Sequence, residues 1–200
     1  MAEAPAASAM HPAHPAHPAH PVHPVHPVHP VHPVHLVLVG LPGSGKSTVG
    51  RAVAERLGRP FIDFDREIER REGATVAQLF ADRGEPWFRD QERALTNELA
   101  QKPGMVLAPG GGWMANPGCY EAIKNCAVVV YLRVTPETAL SRMGAERGTR
   151  PLLSRADPLA ELHKLKTARE SAYLQANHTV STELMSLVEV VDTIVVLAGG

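Results

Sequence analysis

The sequence predicts an α/β domain of three layers, α/β/α, in which a central five-stranded parallel sheet is covered by helices on both faces. Three observations support this class. Short apolar stretches of strand length alternate along the chain with longer amphipathic stretches. The strand-like stretches are almost continuously apolar, as is typical of parallel strands that are buried on both faces. A glycine-rich turn joins the first of them to the first helical stretch, at the edge of the sheet where such folds bind ligands.

The first strand is predicted at residues 36–40, which are short, apolar and end at a glycine. The helix at 46–57 follows, with Val49, Val53 and Leu57 on one stripe and Gly58 at its end. The later strands share the apolar character of the first and are predicted at residues 60–64, 105–108, 126–132 and 179–181. The later helices are predicted from amphipathic spacing at residues 65–72, 76–81, 85–100, 136–146, 159–176 and 186–197.

Residues 1–35 differ from the rest of the chain. Residues 11–35 repeat His-Pro-Ala and then His-Pro-Val, and Glu3 is the only charged side chain before residue 36. Proline at every third position excludes a helix and a packed core, so we expect a disordered extension, with the folded domain at 36–200. Metal binding is an alternative because histidine is a common ligand, although positions i and i+3 of a polyproline II segment lie about 9 Å apart.

Composition narrows the class of function. The 200 residues carry a net charge of −1, which argues against a general nucleic-acid binder and against a polybasic membrane anchor. No apolar run approaches the roughly 20 residues that span a bilayer. Two cysteines, Cys119 and Cys126, do not make a disulfide framework and are typical of a reducing compartment. We therefore expect a cytoplasmic protein that binds neither nucleic acid nor membrane.

The strongest motif is the glycine-rich turn. Residues 40–47 read G-L-P-G-S-G-K-S, a complete G-x-x-x-x-G-K-S between a strand and a helix, which makes the predicted fold a P-loop domain. Lys46 is expected at the β- and γ-phosphates of ATP, and the Ser47 hydroxyl at Mg²⁺. The expected ATP-binding residues of the loop are Gly43, Ser44, Gly45, Lys46, Ser47 and Thr48.

Two carboxylates follow the second strand. Asp63 and Asp65 would face the phosphate site together if Asp65 still belongs to the strand, because residues i and i+2 of a strand point the same way. One carboxylate could then order water around Mg²⁺ and the other could accept a proton from an attacking hydroxyl. The alternative is a pair that caps the helix beginning at residue 65.

Three further features are expected at the same site. Arg89 lies early in the helix at 85–100, and glycines at 110–112 follow the third strand and allow a ligand to touch the backbone. Arg147, Arg150 and Arg155 crowd a loop at about 144–158 that has the composition of a lid over ATP. Trp87 and Trp113 adjoin the first two features and are expected to border the acceptor pocket.

These stretches together resemble the shikimate kinase family, of the nucleoside-monophosphate-kinase-like P-loop group. The resemblance covers residues 36 to about 198. It rests on the order and spacing of six segments, which lie at residues 40–48, 63–65, 88–92, 110–112, 150–153 and 169–173. It implies transfer of the ATP γ-phosphate to the 3-hydroxyl of shikimate with Mg²⁺, on the route to chorismate and the aromatic amino acids. It also implies a substrate-binding segment at about 64–100 and a short lid, and we expect a monomer.

The resemblance assigns roles to individual residues. Asp65 corresponds to the aspartate that holds the ring hydroxyls of shikimate, and with Lys46 and Arg150 it forms the catalytic set. By the same resemblance, Arg89 and Arg169 bind the shikimate carboxylate, and the backbone of Gly111 contacts shikimate. Arg150 is assigned to the phosphates from the lid, and Asp63 to an outer-sphere position on Mg²⁺. Arg142 is assigned to stacking on adenine. Arg147 is a rival for the adenine position.

Other readings stay open at this stage. An adenylate-type kinase would need a base-reading acceptor site and a longer lid, and a gluconate-type kinase is a second alternative. The triple glycine and the paired arginines favour shikimate over gluconate. A shikimate-kinase-like ligand sensor is a third, but the proline-rich residues 1–35 cannot form the helix-turn-helix it would need.

Overall fold

The structure is a computed structural model that describes residue 1, residues 34–144 and residues 157–199. The chain divides into two units, Met1–Val31 and His32–Gly200. All of the strands and helices below belong to the second unit.

Five parallel strands form a single sheet, as the sequence predicts. They are β1 (His35–Val39), β2 (Phe61–Asp63), β3 (Val106–Ala108), β4 (Ala127–Arg133) and β5 (His178–Ser181). Their order across the sheet is β2-β3-β1-β4-β5, and every neighbouring pair is parallel. The central strand β1 therefore delivers the glycine-rich turn to the middle of the sheet's carboxyl edge, with β2 and β3 on one side.

In the described residues, seven helices and one 3₁₀ turn accompany the strands. The helices are α1 (Lys46–Leu57), α2 (Phe64–Glu72), α3 (Val76–Leu99), α4 (Cys119–Ile123), α5 (Pro136–Met143), α6 (Pro158–Tyr173) and α7 (Leu187–Gly199). The 3₁₀ turn at Trp113–Ala115 and helix α4 were not predicted. In the described ranges, none of these helices combines the length and the hydrophobicity that crossing a bilayer requires.

The sheet is buried on both faces, which explains its nearly continuous apolar strands. In β1, Val37 and Val39 belong to a core cluster shared with α2, α3 and α6, whereas Leu36 and Leu38 belong to a second cluster shared with α1 and α7. Successive side chains of a strand point to opposite faces, so both faces of β1 must be apolar. This is the three-layer arrangement that the sequence predicts.

Helix α3 joins the two helices predicted at 76–81 and 85–100. A capping box of Thr75 and Gln78 begins it, and its path breaks at Gly84, where φ is 82° and ψ is 166°. That backbone conformation is essentially restricted to glycine. Pro86 follows at the start of the second part, where a proline is tolerated. The break redirects the helix so that its second part carries Arg89 toward the carboxyl edge of the sheet.

Strand β1 begins at His35, one residue before the predicted strand and inside the predicted extension. The His35 ring is buried, and its Nδ1 accepts a hydrogen bond from the Met105 backbone N–H at 3.2 Å. Burial lowers the pKa of His35, although hydrogen bonds with the backbone of Lys102 and Leu99 oppose the shift. The last histidine of the repeat is thus a neutral part of the fold, which joins β1 to the segment before β3.

Candidate active site

The glycine-rich turn curls between β1 and α1 in the form expected for a phosphate loop. Gly43 and Gly45 have φ values of 81° and 95°, which L side chains rarely adopt. The Lys46 Nζ donates to the carbonyl oxygens of Gly40 and Leu41, both at 3.0 Å. The lysine therefore folds back over the loop, and its ammonium group is held by backbone carbonyls at the position where phosphates are expected.

A cavity of about 370 Å³ lies against this loop. It is lined by the phosphate loop, by the ends of β2 and β3, by the end of α5 and by the segment around the start of α7, and the lining residues are Gly43, Ser44, Gly45, Lys46, Ser47, Thr48, Val49, Asp63, Asp65, Ala108, Pro109, Gly110, Arg142, Met143, Thr182, Met185, Leu187 and Val190. The six predicted loop residues, both aspartates and Arg142 therefore meet in one cavity. Arg89, Gly111 and Arg169 do not line it.

Asp63 both caps a helix and contacts the phosphate loop. One carboxylate oxygen, Oδ2, accepts from the Ser47 hydroxyl at 2.5 Å, and the other, Oδ1, accepts from the Arg66 backbone N–H at 3.3 Å as the N-cap of α2. The helix-capping alternative therefore holds for Asp63, and the same carboxylate also contacts the phosphate loop.

The argument that residues i and i+2 of a strand point the same way required Asp65 to belong to β2. The structure places Asp65 in helix α2 instead. Helix α2 begins at Phe64, because Asp63 caps it, so Asp65 is in the first turn of the helix. The helical turn nevertheless brings Asp65 to the wall of the same cavity as Asp63. The pairing that the sequence predicts is present, but by a different local geometry.

Arg89 is held between two glutamates of its own helix. Its Nη1 donates to Glu92 at 2.7 Å, and its Nε and Nη2 donate to one oxygen of Glu85 at 3.1 and 2.6 Å. The Glu92 side chain is 0% exposed, that of Arg89 is 17% exposed and that of Glu85 is 46% exposed. Arg89 is thus a largely buried cation with one buried and one half-exposed counter-ion.

Burial and charge act in opposite directions on this pair. Burial raises the pKa of Glu92, and the neighbouring charge of Asp65 adds to the shift, while Arg89 and Arg169 oppose it. Burial disfavours the charge of Arg89, but the attraction of Glu92 and Glu85 outweighs that effect and raises the pKa of Arg89. The second oxygen of Glu92, Oε1, has no hydrogen-bond partner among the described residues.

The three glycines at 110–112 are required by neighbouring side chains. None has a positive φ, so backbone conformation does not demand them. A Cβ on Gly110 would lie 2.7 Å from Glu92 Oε1 and 3.2 Å from Asp65 Oδ1, and one on Gly112 would lie 2.5 Å from Arg89 Nη2. The glycines therefore let the acids and the arginine press against the backbone that follows β3.

Tyr173 links Gly111 to Arg169. Its buried hydroxyl donates to the Gly111 carbonyl at 2.5 Å, and it interacts with the guanidinium of Arg169. Burial raises the pKa of Tyr173 to about 12, against the opposing influence of Arg169. Arg169 also interacts with the charge of Glu92, so the cluster behind the cavity includes both predicted carboxylate-binding arginines.

Arg142 is fixed to the segment after β5. Its Nη1 and Nη2 donate to the hydroxyl and the carbonyl of Thr182 at 2.8 and 2.6 Å. The next residue, Glu183, accepts from the Thr135 backbone N–H at 2.9 Å and so also holds this segment on α5. Arg142 and Thr182 line the cavity together with Met185 and Leu187, whose side chains make part of its wall apolar.

Sequence reasoning missed two members of the site and misplaced a third residue. Glu92 and Tyr173 lie in segments that carried the resemblance, but no role was predicted for either. Trp113 was expected at the pocket rim, yet it is fully buried and its indole N–H donates to Thr96 at 2.8 Å. The lid arginines, including Arg150, lie outside the described residues.

Comparisons with known proteins identify the family to which the chain belongs. A family model described as shikimate kinase matches residues 42–198. A curated shikimate kinase from Symbiobacterium thermophilum is 45% identical over 160 residues, which are 79% of this chain and 92% of that protein. One from Pelotomaculum thermopropionicum is 42% identical over 159 residues, which are 80% of this chain and 92% of that protein.

Solved structures give the same picture. A shikimate kinase from Acinetobacter baumannii in complex with shikimate has a TM-score of 0.78 and 38% identity, over 82% of this chain and 92% of that one. A gluconokinase from Sinorhizobium meliloti has a TM-score of 0.55 and 21% identity, over 84% of this chain and 93% of that one, which shows a shared fold alone.

Proposed function

The chain belongs to the shikimate kinase family and transfers the γ-phosphate of ATP to the 3-hydroxyl of shikimate, and we propose how its residues divide this work. The observation that carries the proposal is the shared wall of one cavity. The phosphate loop and the two aspartates meet there, and the buried arginine cluster adjoins them through Gly110.

ATP occupies the cavity along the phosphate loop. The backbone N–H groups of residues 43–48, at the N-terminus of α1, bind the phosphate oxygens, and Lys46 exchanges its carbonyl contacts for the β- and γ-phosphates. The base lies at the other end, between Arg142 and the apolar wall of Met185 and Leu187. The role at the phosphates that the resemblance assigns to Arg150 falls on a residue outside the described ranges.

Mg²⁺ fits the residues at the end of the loop. The Ser47 hydroxyl and the Asp63 carboxylate lie side by side there, and such oxygen groups suit this ion, with Ser47 as a direct ligand and Asp63 in an outer-sphere position through water. Among the described residues, no group of three or more histidine, cysteine or acidic side chains is placed to hold a metal ion. When bound, Mg²⁺ would neutralise charge on the transferred phosphoryl group.

Shikimate lies where the cavity meets the arginine cluster. Arg89 and Arg169 bind its carboxylate, the backbone of Gly111 contacts its ring, and Asp65 accepts hydrogen bonds from its hydroxyls. Asp65 lines the phosphate cavity and also lies beside Gly110, so it can hold the 3-hydroxyl in line with the γ-phosphate and accept its proton. The domain acts as a monomer in the cytoplasm, and residues 1–35 take no part in the chemistry.

A coupled assay of ADP release tests the proposal. Shikimate, gluconate and nucleoside monophosphates are compared as acceptors at fixed Mg-ATP, with the Lys46→Ala variant as the background control. Of the three acceptors, we expect only shikimate to be phosphorylated, and we expect this turnover to be lost in the Lys46→Ala variant. Faster phosphorylation of gluconate or of a nucleotide would refute the acceptor assignment.

A further inference from the structure

Glu85 occupies the edge of Arg89 that best matches a carboxylate. The Nε and Nη2 of an arginine form a parallel two-donor edge, and both donate to Glu85, at 3.1 and 2.6 Å. Such edges bind carboxylates with the strongest and most directional hydrogen bonds that arginine makes. The carboxylate of Glu85 therefore lies on donors that a substrate carboxylate would use.

A third carboxylate can approach Arg89 only against electrostatic repulsion from the two carboxylates already paired with it. Glu92 already takes Nη1 at 2.7 Å and Glu85 takes the Nε and Nη2 edge, so Arg89 itself is paired with two carboxylates, and Arg169 is a second cation near Glu92. An incoming carboxylate would add a third negative charge within a few ångströms, and like charges at such distances repel. A ligand carboxylate that takes the Nε and Nη2 edge of Arg89 must therefore displace the carboxylate that already occupies it.

Glu85 is the glutamate that can leave. Glu92 is completely buried beside Gly110 and Asp65, whereas the Glu85 side chain is 46% exposed and can be hydrated when it swings away. Glu85 also directly follows Gly84, at the break in α3, and so lies in the first turn of the second helical part. A half-exposed ion pair of this kind contributes little free energy and is readily exchanged.

We propose that Glu85 is an internal competitor for the carboxylate of shikimate. It holds the Nε and Nη2 edge of Arg89 in the free enzyme and is displaced by the substrate, so it sets the affinity for the acceptor. The inference rests on the proposed role of Arg89 as a carboxylate-binding residue. If Glu85 instead oriented Arg89 for substrate binding, removal of Glu85 would raise the KM for shikimate, whereas competition predicts that the KM falls.

The test is the Glu85→Gln variant, with Asp90→Asn as a matched control. Asp90 is an exposed acid on the same helix that pairs with Arg93 rather than with Arg89, so the control makes the same change in net charge. We expect the KM for shikimate to fall about two- to fivefold in Glu85→Gln, the range expected when a partly exposed ion pair is removed. The KM for ATP and kcat should be unchanged, and Asp90→Asn should resemble the wild type.

A neutral ligand and a binding measurement complete the design. The methyl ester of shikimate lacks the competing charge, so Glu85→Gln should not improve its binding in calorimetric titrations without ATP. The same titrations with Glu85→Ala serve if the glutamine variant folds poorly. A KM for shikimate that is unchanged or raised, or an equal gain with the ester, overturns the inference.

An Arg89→Ala variant distinguishes a failure of the proposed competition by Glu85 from a failure of the proposed carboxylate site at Arg89. If Arg89→Ala raises the KM for shikimate while Glu85→Gln does not lower it, only the competition is wrong. If Arg89→Ala leaves that KM unchanged, the proposed carboxylate site is wrong and the competition with it.

Discussion

The substitution Gly112→Ala adds a single methyl group against the guanidinium of Arg89. A Cβ at this position would lie 2.5 Å from Nη2, 2.6 Å from Cζ and 2.8 Å from Nη1 of Arg89. The backbone itself accepts alanine, because φ is −92° and ψ is −10°. The strain of the variant therefore falls on Arg89 and not on the loop.

The size of the effect follows from the overlap. The nearest guanidinium nitrogen must retreat from 2.5 Å to at least the ordinary contact distance of 3.4 Å, a movement of about 0.9 Å. A misplacement of about 1 Å in a binding group costs up to roughly a hundredfold in catalysis. Removing a partner of a buried charge pair outright costs about 2–5 kcal/mol. Because Arg89 is moved and not removed, we expect the KM for shikimate to rise about ten- to hundredfold, or about 1.4–2.7 kcal/mol.

Steady-state kinetics with each substrate varied in turn measures this effect. The KM for ATP should change less than about twofold, since Arg89 and Gly112 do not line the ATP cavity. Gly199→Ala is the control, because a Cβ there would meet nothing within 4 Å. A thermal melt without ligands separates a local displacement from a loss of folding.

A double-mutant cycle decides whether the methyl group acts through Arg89. In an Arg89→Ala background the clash is absent, so Gly112→Ala should add little to the effect of Arg89→Ala. Additive effects would show that Gly112 acts through another contact. An unchanged KM for shikimate in the single variant would refute the reasoning altogether.

The remaining predictions concern a buried hydroxyl and a buried histidine. Tyr173→Phe leaves the Gly111 carbonyl without its donor, so the KM for shikimate should rise about fivefold while the KM for ATP stays unchanged. Tyr131→Phe removes the hydroxyl bonded to Glu170 and should change neither KM. Equal effects in the two variants would contradict a role of Tyr173 in positioning Gly111. The pKa of His35 is lower in the folded protein than its unfolded value of about 6.5. The contribution of His35 to the free energy of unfolding is therefore complete above about pH 6.5 and is lost as the pH falls from there to the folded pKa. The free energy of unfolding decreases in this range by no more than about 1.4 kcal/mol per pH unit. His35→Asn keeps an acceptor for the Met105 N–H without a proton to gain, so denaturant titrations between pH 7 and 5 should show a shallower loss of stability in this variant, and parallel curves would contradict the prediction.

Local patterns were enough to predict the sheet and most of the helices. The strands are buried on both faces and so are recognisable as short apolar runs, and helix α1 matches its predicted bounds, Lys46–Leu57, because Gly45 and Gly58 end it on either side. The 3₁₀ turn at Trp113–Ala115 and the five-residue helix α4 were missed. Each is too short to show a helical period, so only tertiary packing reveals it.

The site was predictable where a motif fixes the backbone and not where it depends on contacts between distant segments. The phosphate loop and Asp63 could be placed from sequence, because a strand, a turn and a helix follow one another there. The sequence also indicated that glycines at 110–112 allow close approach, but the groups that approach are protein side chains, among them Arg89 and Glu92. Nothing local to Glu92 marks it as a completely buried acid.

The arrangement of acids around Arg89 follows from a conflict between stability and binding. A buried guanidinium without a counter-ion is costly, and a fixed counter-ion on every donor would exclude the substrate. Glu92 meets the first requirement, since it is buried, lies close to Arg89 and packs against the backbone of Gly110. Glu85 can meet the second, since its half-exposed position keeps Arg89 paired in the free enzyme without fixing that pair permanently. The same reasoning explains why the proposed carboxylate-binding end of the site holds Glu85 and Glu92 beside Arg89 and Arg169: the substrate carboxylate would replace, by exchange, a negative charge that the protein already holds in place.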